Sequence, residues 1–201
     1  KKIVNDFFLK INLKSNKYFA LKIIIATIPS VLIGFFIYQY LIYDLRNLFV
    51  IAYANIFFAI ILYFVDRFLP LKNSWQKLSF KNAFLIGLCQ SFAFIPGASR
   101  AGVTITGARL FGLKRDSAAI FSMLLSIPII LASICLTILD INSSFSSSVI
   151  NVNKIIFSML ISFFIALISI SFMMKILQKT NFSLFIVYRI ILGIIILTVI
   201  N

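Results

Sequence analysis

The sequence predicts an all-α integral membrane protein, with about five transmembrane helices and one re-entrant helical hairpin in a single membrane domain covering residues 1–201. Three observations lead there. The chain is 62% hydrophobic and only 12% charged, with a mean hydropathy of +1.09, well above an ordinary soluble domain. Its apolar residues gather in runs of about 20, the length that crosses a bilayer as a helix. One apolar stretch of intermediate length is flanked on both sides by basic residues, as though it enters the membrane and returns to the same face.

Residues 1–18 carry Lys1, Lys2, Lys10, Lys14 and Lys17 around Phe7, Phe8 and Leu9 and read as a basic cytoplasmic approach. Apolar runs at residues 19–38, 48–65, 117–139, 155–174 and 183–200 each approach the ~20 residues of a spanning helix. Pro29 and Pro128 fall inside two of them and predict kinks. Orientation follows from the connections, because Lys and Arg in short loops stay on the cytoplasmic side. Residues 66–81 hold Arg67, Lys72, Lys77 and Lys81, and Lys175 and Lys179 mark the last inside loop. Residues 140–153, a Ser/Asn-rich stretch, have no Lys or Arg. This places the amino terminus inside and the carboxyl terminus outside.

Between Lys81 and Lys114-Arg115 the chain is largely apolar, yet about 30 residues cannot supply two crossings of ~20 and a turn. Two half-length helices meeting at a break solve the problem. The hairpin is predicted at residues 82–113, with a descending arm over 81–95 and a return over 102–113. Pro96-Gly97 makes the break: proline removes a backbone donor and glycine accepts angles that other residues resist. Irregular backbone at that depth is tolerated only against protein or a water-filled cavity, so the tip is expected to line one.

The chemistry concentrates there. Ser99 is placed to cap the returning helix, whose N-terminus would turn free N–H groups and a partial positive charge toward the cavity. Arg100 near the bilayer centre costs at least ~2.5–3.5 kcal/mol on insertion scales and therefore needs a partner. The planar guanidinium, the helix N-terminus and the hydroxyls of Ser99, Thr104 and Thr106 together suit a phosphate. Small residues Gly97, Ala98, Ala101 and Gly102 would let a ligand approach the backbone. The alternative is that Arg100 pairs with a buried Asp or with carbonyls. Gln90, in the descending arm, either donates to the same ligand or bonds between helices. Arg109, Lys114 and Arg115 are expected at the cytoplasmic interface, where snorkelling and topology account for them. Thr27, Ser30, Ser122 and Ser126 are read as helix-packing hydroxyls.

The net charge of +14, from 19 Lys+Arg against 5 Asp+Glu, lies mostly in connections, which argues for topology and against a nucleic-acid partner. Cys89 and Cys135 sit in apolar surroundings without metal-ligand spacing. The acids are Asp6, Asp44, Asp66, Asp116 and Asp140, with no Glu and no His, so most hydrolytic constellations are absent and no metal-ligand cluster is visible.

Gly87-Leu88-Cys89-Gln90, the block from Phe94 through Pro96-Gly97-Ala98-Ser99-Arg100-Ala101-Gly102-Val103-Thr104-Ile105, Gly112-Leu113-Lys114-Arg115, Ala118-Ala119, Phe121-Ser122 and Ile127-Pro128 resemble the bacterial undecaprenyl-pyrophosphate phosphatases associated with bacitracin resistance. The flanking spans, including Ile25-Ala26-Thr27-Ile28-Pro29, look similar too. The resemblance implies an inverted-repeat fold with a re-entrant hairpin in each half, and hydrolysis of the carrier lipid's pyrophosphate to recycle it for cell-wall synthesis. It implies Arg100, Ser99 and Thr104 as catalytic residues, with Gly97, Ala98, Gly102 and Gln90 around the substrate. It also implies a divalent cation, Mg²⁺ or Ca²⁺. The expected partners are a polyprenyl pyrophosphate lipid and the bilayer, with a homo-oligomer allowed.

Two departures stand out. Ala101 occupies a position that is usually a second Ser in that family. The family's amino-terminal signature, paired Glu residues and a Ser-Ser/Thr-Gly-His run, has no counterpart here, which suggests a chain beginning after the first hairpin. The rival reading is a transporter or flippase that binds an anionic lipid without cleaving it, since broken helices at mid-membrane are also transporter architecture.

Overall fold

The computed structural model describes residues 17–40, 47–143 and 152–200. These form seven α-helices: α1 (Lys17–Tyr40), α2 (Leu48–Phe68), α3 (Phe80–Gln90), α4 (Arg100–Leu110), α5 (Arg115–Ser143), α6 (Val152–Lys179) and α7 (Ser183–Ile200). Short 3₁₀ turns lie at Trp75–Lys77 and Ser91–Phe94. Five of the helices are long and apolar enough to cross a membrane: Tyr18–Ile37, Leu48–Phe68, Arg115–Cys135, Lys154–Leu177 and Ser183–Ile200. They match the five expected spans. Most of the basic segment at 1–18 and most of the Ser/Asn-rich connection lie outside the described residues, although α5 runs on to Ser143. Both Pro29 and Pro128 stand inside continuous helices.

Local chemistry sets the ends. Asn47 caps α2 by accepting from the Phe49 N–H at 2.9 Å, and α2 stops at Phe68 because Leu69, the residue before Pro70, is held extended. Ser79 caps α3, accepting from the Asn82 N–H at 3.1 Å. The descending arm is a regular helix only to Gln90 and then tightens into the 3₁₀ turn. Ile95 is extended, as the residue preceding Pro96 must be. The return begins two residues earlier than expected, at Arg100, and ends on Gly112, whose φ of 76° is a glycine-type helix stop.

The hairpin is re-entrant in geometry. At about 1.5 Å per residue, α3 and α4, with 11 residues each, reach roughly half-way through a ~30 Å hydrocarbon core. The loop that leads into α3 lies against the end of α4: the Lys72 and Asn73 N–H groups donate to the Gly112 carbonyl, at 3.1 and 2.9 Å, and the Lys114 N–H donates to the Asn73 carbonyl at 2.8 Å. Helix α3 packs on α1, and α4 packs on α3, α2 and α5; α2 pairs with α7, and α1 also meets α5. The core runs along this seam through Phe19, Ile86, Ala108, Leu113, Phe121, Leu125 and Phe182. Phe19 stacks at a tilt on Trp75, ring centroids 4.3 Å apart.

Arg109 departs from the expectation of a snorkelling interface residue. It is fully buried, with Nε 3.2 Å from the Asp66 carboxylate, and its terminal nitrogens donate to the carbonyls of Leu113 (2.6 Å) and Leu69 (2.8 Å). Arg115 shares the same carboxylate at 2.9 and 3.1 Å. The reason is that α2 and α4 end side by side, and their unpaired carbonyls need donors. Arg109 ties both helix ends to the basic end of the bundle.

Candidate functional site

The hairpin tip, from Ile95 to Gly102, is assembled from three elements. Gly97 has φ 89°, and a Cβ there would collide with the Ile51 carbonyl of α2; only glycine lets the tip lie against that helix. Ser99 also has a positive φ, 64°, unusual for a residue with a side chain and costly by about 1–3 kcal/mol. It nonetheless caps α4, its Oγ accepting from the Gly102 N–H at 3.3 Å while its carbonyl accepts from the Val103 N–H at 3.0 Å. The carbonyl bond is the first regular bond of the helix, and the Oγ bond satisfies one orphan donor, leaving those of Arg100 and Ala101 at the tip. The Ser99 side chain is exposed, and with its oxygen accepting, its proton is free to be donated.

A second cation, Arg189 of α7, sits behind this tip. Its Nε donates to the Asn55 Oδ1 at 2.8 Å, its Nη2 to the carbonyls of Gly97 (3.0 Å) and Ala98 (2.8 Å), and Asn55 returns a bond to the Arg189 carbonyl at 3.0 Å. Its Nη1 is buried and has no partner. That nitrogen faces Gly102, where an added Cβ would lie only 2.6 Å away. Gly97, Ala98 and Gly102, expected to surround a substrate, thus first of all receive Arg189.

Arg100 is half-buried, and its guanidinium has no hydrogen-bond or ion-pair partner among the described residues. Among the described residues no Asp pairs with it: Asp66 is engaged by Arg109 and Arg115.

The remaining polar residues turn inward. Thr104 is fully buried; its hydroxyl donates to the Arg100 carbonyl at 2.8 Å and meets the Ser122 hydroxyl of α5 in a short contact. Thr106 donates to the Gly102 carbonyl at 2.7 Å. For Gln90 the structure shows the interhelical bond, Nε2 to the Ser30 Oγ at 3.1 Å, with Ser30 donating onward to the Gly87 carbonyl at 2.7 Å. Ser30 and Ser122 are therefore packing hydroxyls between helices, while Thr27 and Ser126 bond to carbonyls of their own helices. Cys89 and Cys135 are both free thiols.

Sequence reasoning missed Arg189 and Asn55. The signal was present: Arg189 is the one charged residue in the 18-residue span Ser183–Ile200, and a charge inside a span marks a functional position by default.

Chemically, the groups the tip leaves free are mainly donors: two guanidinium groups, a hydroxyl proton and the start of a helix, with no carboxylate among the described residues there. Such a set attracts an anion and does not fit a divalent cation, which needs oxygen acceptors. Among the described residues no cluster of three metal-type side chains occurs. Fold and tip together define a polytopic membrane protein with a re-entrant hairpin whose apex is lined by unneutralised cations. The chain belongs to the family described as bacitracin resistance protein BacA, whose model matches residues 1–195. At the family level this carries undecaprenyl-pyrophosphate phosphatase activity.

Proposed function

We propose that this chain binds the pyrophosphate of undecaprenyl pyrophosphate at the hairpin tip and serves its hydrolysis to undecaprenyl phosphate and phosphate, so recycling the carrier for cell-wall synthesis. The observation that carries the reading is the pair of cations at one apex, Arg100 without a partner and Arg189 with a buried free Nη1. An anion between two such charges at membrane depth would neutralise both. The lipid's isoprenoid chain would lie among the apolar spans while its headgroup enters the tip. The basic end of the bundle faces the cytoplasm in this reading, and the carboxyl terminus the outside of a bacterial plasma membrane.

In hydrolysis, water adds to the terminal phosphorus, the bridging P–O bond breaks, and its electron pair leaves with the polyprenyl phosphate. Charge spreads over the equatorial oxygens as this happens, and fixed donors aimed at them supply most of the catalysis. Arg100, the Ser99 hydroxyl and the first N–H groups of α4 would be those donors, with Arg189 Nη1 reaching from behind. Thr104 supports the apex through Arg100 and Ser122. A cation would enter only on the pyrophosphate oxygens, since the tip supplies it no ligand. The water and the leaving oxygen both need proton transfer, and none of the tip residues is a Glu or His.

Phosphate release from the polyprenyl pyrophosphate by the protein expressed from its own gene tests the reading. Arg100→Ala should lower turnover on the order of 100-fold or more, as loss of a transition-state donor does, without lowering the unfolding temperature. Normal turnover by that variant would refute it. The absence of Glu and His from the sequence favours a second reading, translocation or simple binding of an anionic lipid. It predicts movement of a labelled lipid across vesicles with no phosphate released.

A further inference from the structure

The basic end of the bundle contains a second cationic hollow, lined by the Arg115 that Asp66 engages and separate from the hairpin tip. It is a cavity of about 710 Å³ between the start of α5 and the α6–α7 turn, within the ~300–1,000 Å³ of small-ligand clefts. We propose that it holds the phosphodiester headgroup of an anionic phospholipid, such as a phosphatidylglycerol, from the leaflet at that end.

Charge bookkeeping supplies the first argument. Arg109 and Arg115 share the single carboxylate of Asp66, so one positive charge of this trio is left over. Arg109 spends its donors on carbonyls in the interior. Arg115 uses only Nε on the carboxylate and is 26% exposed, which leaves its two terminal nitrogens for the cavity it lines. Lys114 lines the same cavity and is exposed. The opposing group is Asp116, whose carboxylate accepts from the Ser117 N–H at 2.8 Å and from its hydroxyl at 3.4 Å. One negative charge against two positive ones leaves the hollow cationic, and it opens at the positive end of α5's dipole. Asn181 accepts from the Ser183 N–H through Oδ1 at 3.2 Å, so its amide N–H groups remain as neutral donors.

Position supplies the second argument and chooses the occupant. The spans Leu48–Phe68 and Lys154–Leu177 end at this level, and Arg115–Cys135 and Ser183–Ile200 begin there. The cavity therefore lies at headgroup depth. Of its remaining walls, Leu71 and Leu177 are apolar, as suits the glycerol and first methylenes of a lipid, and Thr180 turns its hydroxyl to the Ile176 and Asn181 carbonyls at 3.0 and 3.4 Å. Basic pockets between transmembrane helices on one leaflet have this combination when they hold anionic headgroups.

The test is thermal unfolding of the chain in nanodiscs of phosphatidylcholine with and without phosphatidylglycerol, together with native mass spectrometry to count retained lipids. It is run in the Arg100→Ala background as well, so that occupancy of the hairpin tip is not counted. The wild type should retain phosphatidylglycerol in preference to phosphatidylcholine in both backgrounds. Lys114→Ala should weaken that preference about fivefold, the equivalent of roughly 1 kcal/mol for one surface cation, and Lys114→Arg should keep it. Lys77→Ala, which removes a cation outside the cavity, should cost less than twofold. Equal retention of the two lipids would overturn the proposal, as would an equal loss from Lys77→Ala, which would mean a diffuse basic surface. Protection by inorganic phosphate matching that by the lipid would also overturn it, in favour of a soluble anion.

Discussion

Arg189 is the residue whose removal should report most on how the apex works, because its three nitrogens have different tasks. Nε and Nη2 satisfy three buried acceptors, the Asn55 Oδ1 and the carbonyls of Gly97 and Ala98, while Nη1 satisfies none. Truncation to Ala strands those acceptors, and at about 1 kcal/mol for each of the three bonds the fold should lose about 3 kcal/mol. If Nη1 completes its bonding on a pyrophosphate oxygen, its loss removes a charge-assisted bond of about 1.5–3 kcal/mol, or roughly 10- to 150-fold in affinity. The two effects separate in Arg189→Lys. An ammonium can reach the tip carbonyls but cannot span Asn55, the tip and a ligand at once as the planar fork does. About half of the lost stability should return and little of the affinity. Thermal unfolding in detergent measures the first quantity, and equilibrium binding of a fluorescent polyprenyl pyrophosphate the second. Wild-type affinity in a folded Arg189→Ala or Arg189→Lys protein would refute the assignment of Nη1 to the ligand.

Other expectations follow from neighbouring geometry. Gly102→Ala puts a methyl group 2.6 Å from Nη1; overpacking of this sort costs about 1–3 kcal/mol, and anion binding should fall with it, whereas unchanged binding would show that Nη1 is not at the ligand. Asp66→Asn leaves a fully buried Arg109 unneutralised and should destabilise by about 3–5 kcal/mol, read as a lowered midpoint in thermal unfolding. Thr104→Val breaks the contact with Ser122, worth about 0.6 kcal/mol on average between membrane helices, and should leave affinity for the pyrophosphate within twofold; a large loss of affinity would place the hydroxyl on the ligand. Single cysteines at Lys81 and Lys114 should label from the same face of the membrane, and labelling from opposite faces would contradict the hairpin.

The sequence alone determined the parts of this protein whose physics is local. Span length follows from hydrocarbon thickness, and the five runs were visible by counting apolar residues. The hairpin was legible because Lys81 and Lys114-Arg115 flank a stretch too short for two crossings, and its break because Pro96-Gly97 cannot continue a helix. Ser99 as a cap needed only its place before the returning helix. Tertiary structure decided which way each polar side chain faces. Helices in a bilayer are apolar nearly all round, so hydrophobic periodicity gives no azimuth; close packing of helix on helix supplies it. Thr104 is thereby turned to Ser122, Gln90 to Ser30, and Arg109 to Asp66, 43 residues away. The same packing carries Arg189 across 92 positions of chain to the Gly97 carbonyl. The apex foreseen around Arg100 alone is in the folded protein an apex with two cations.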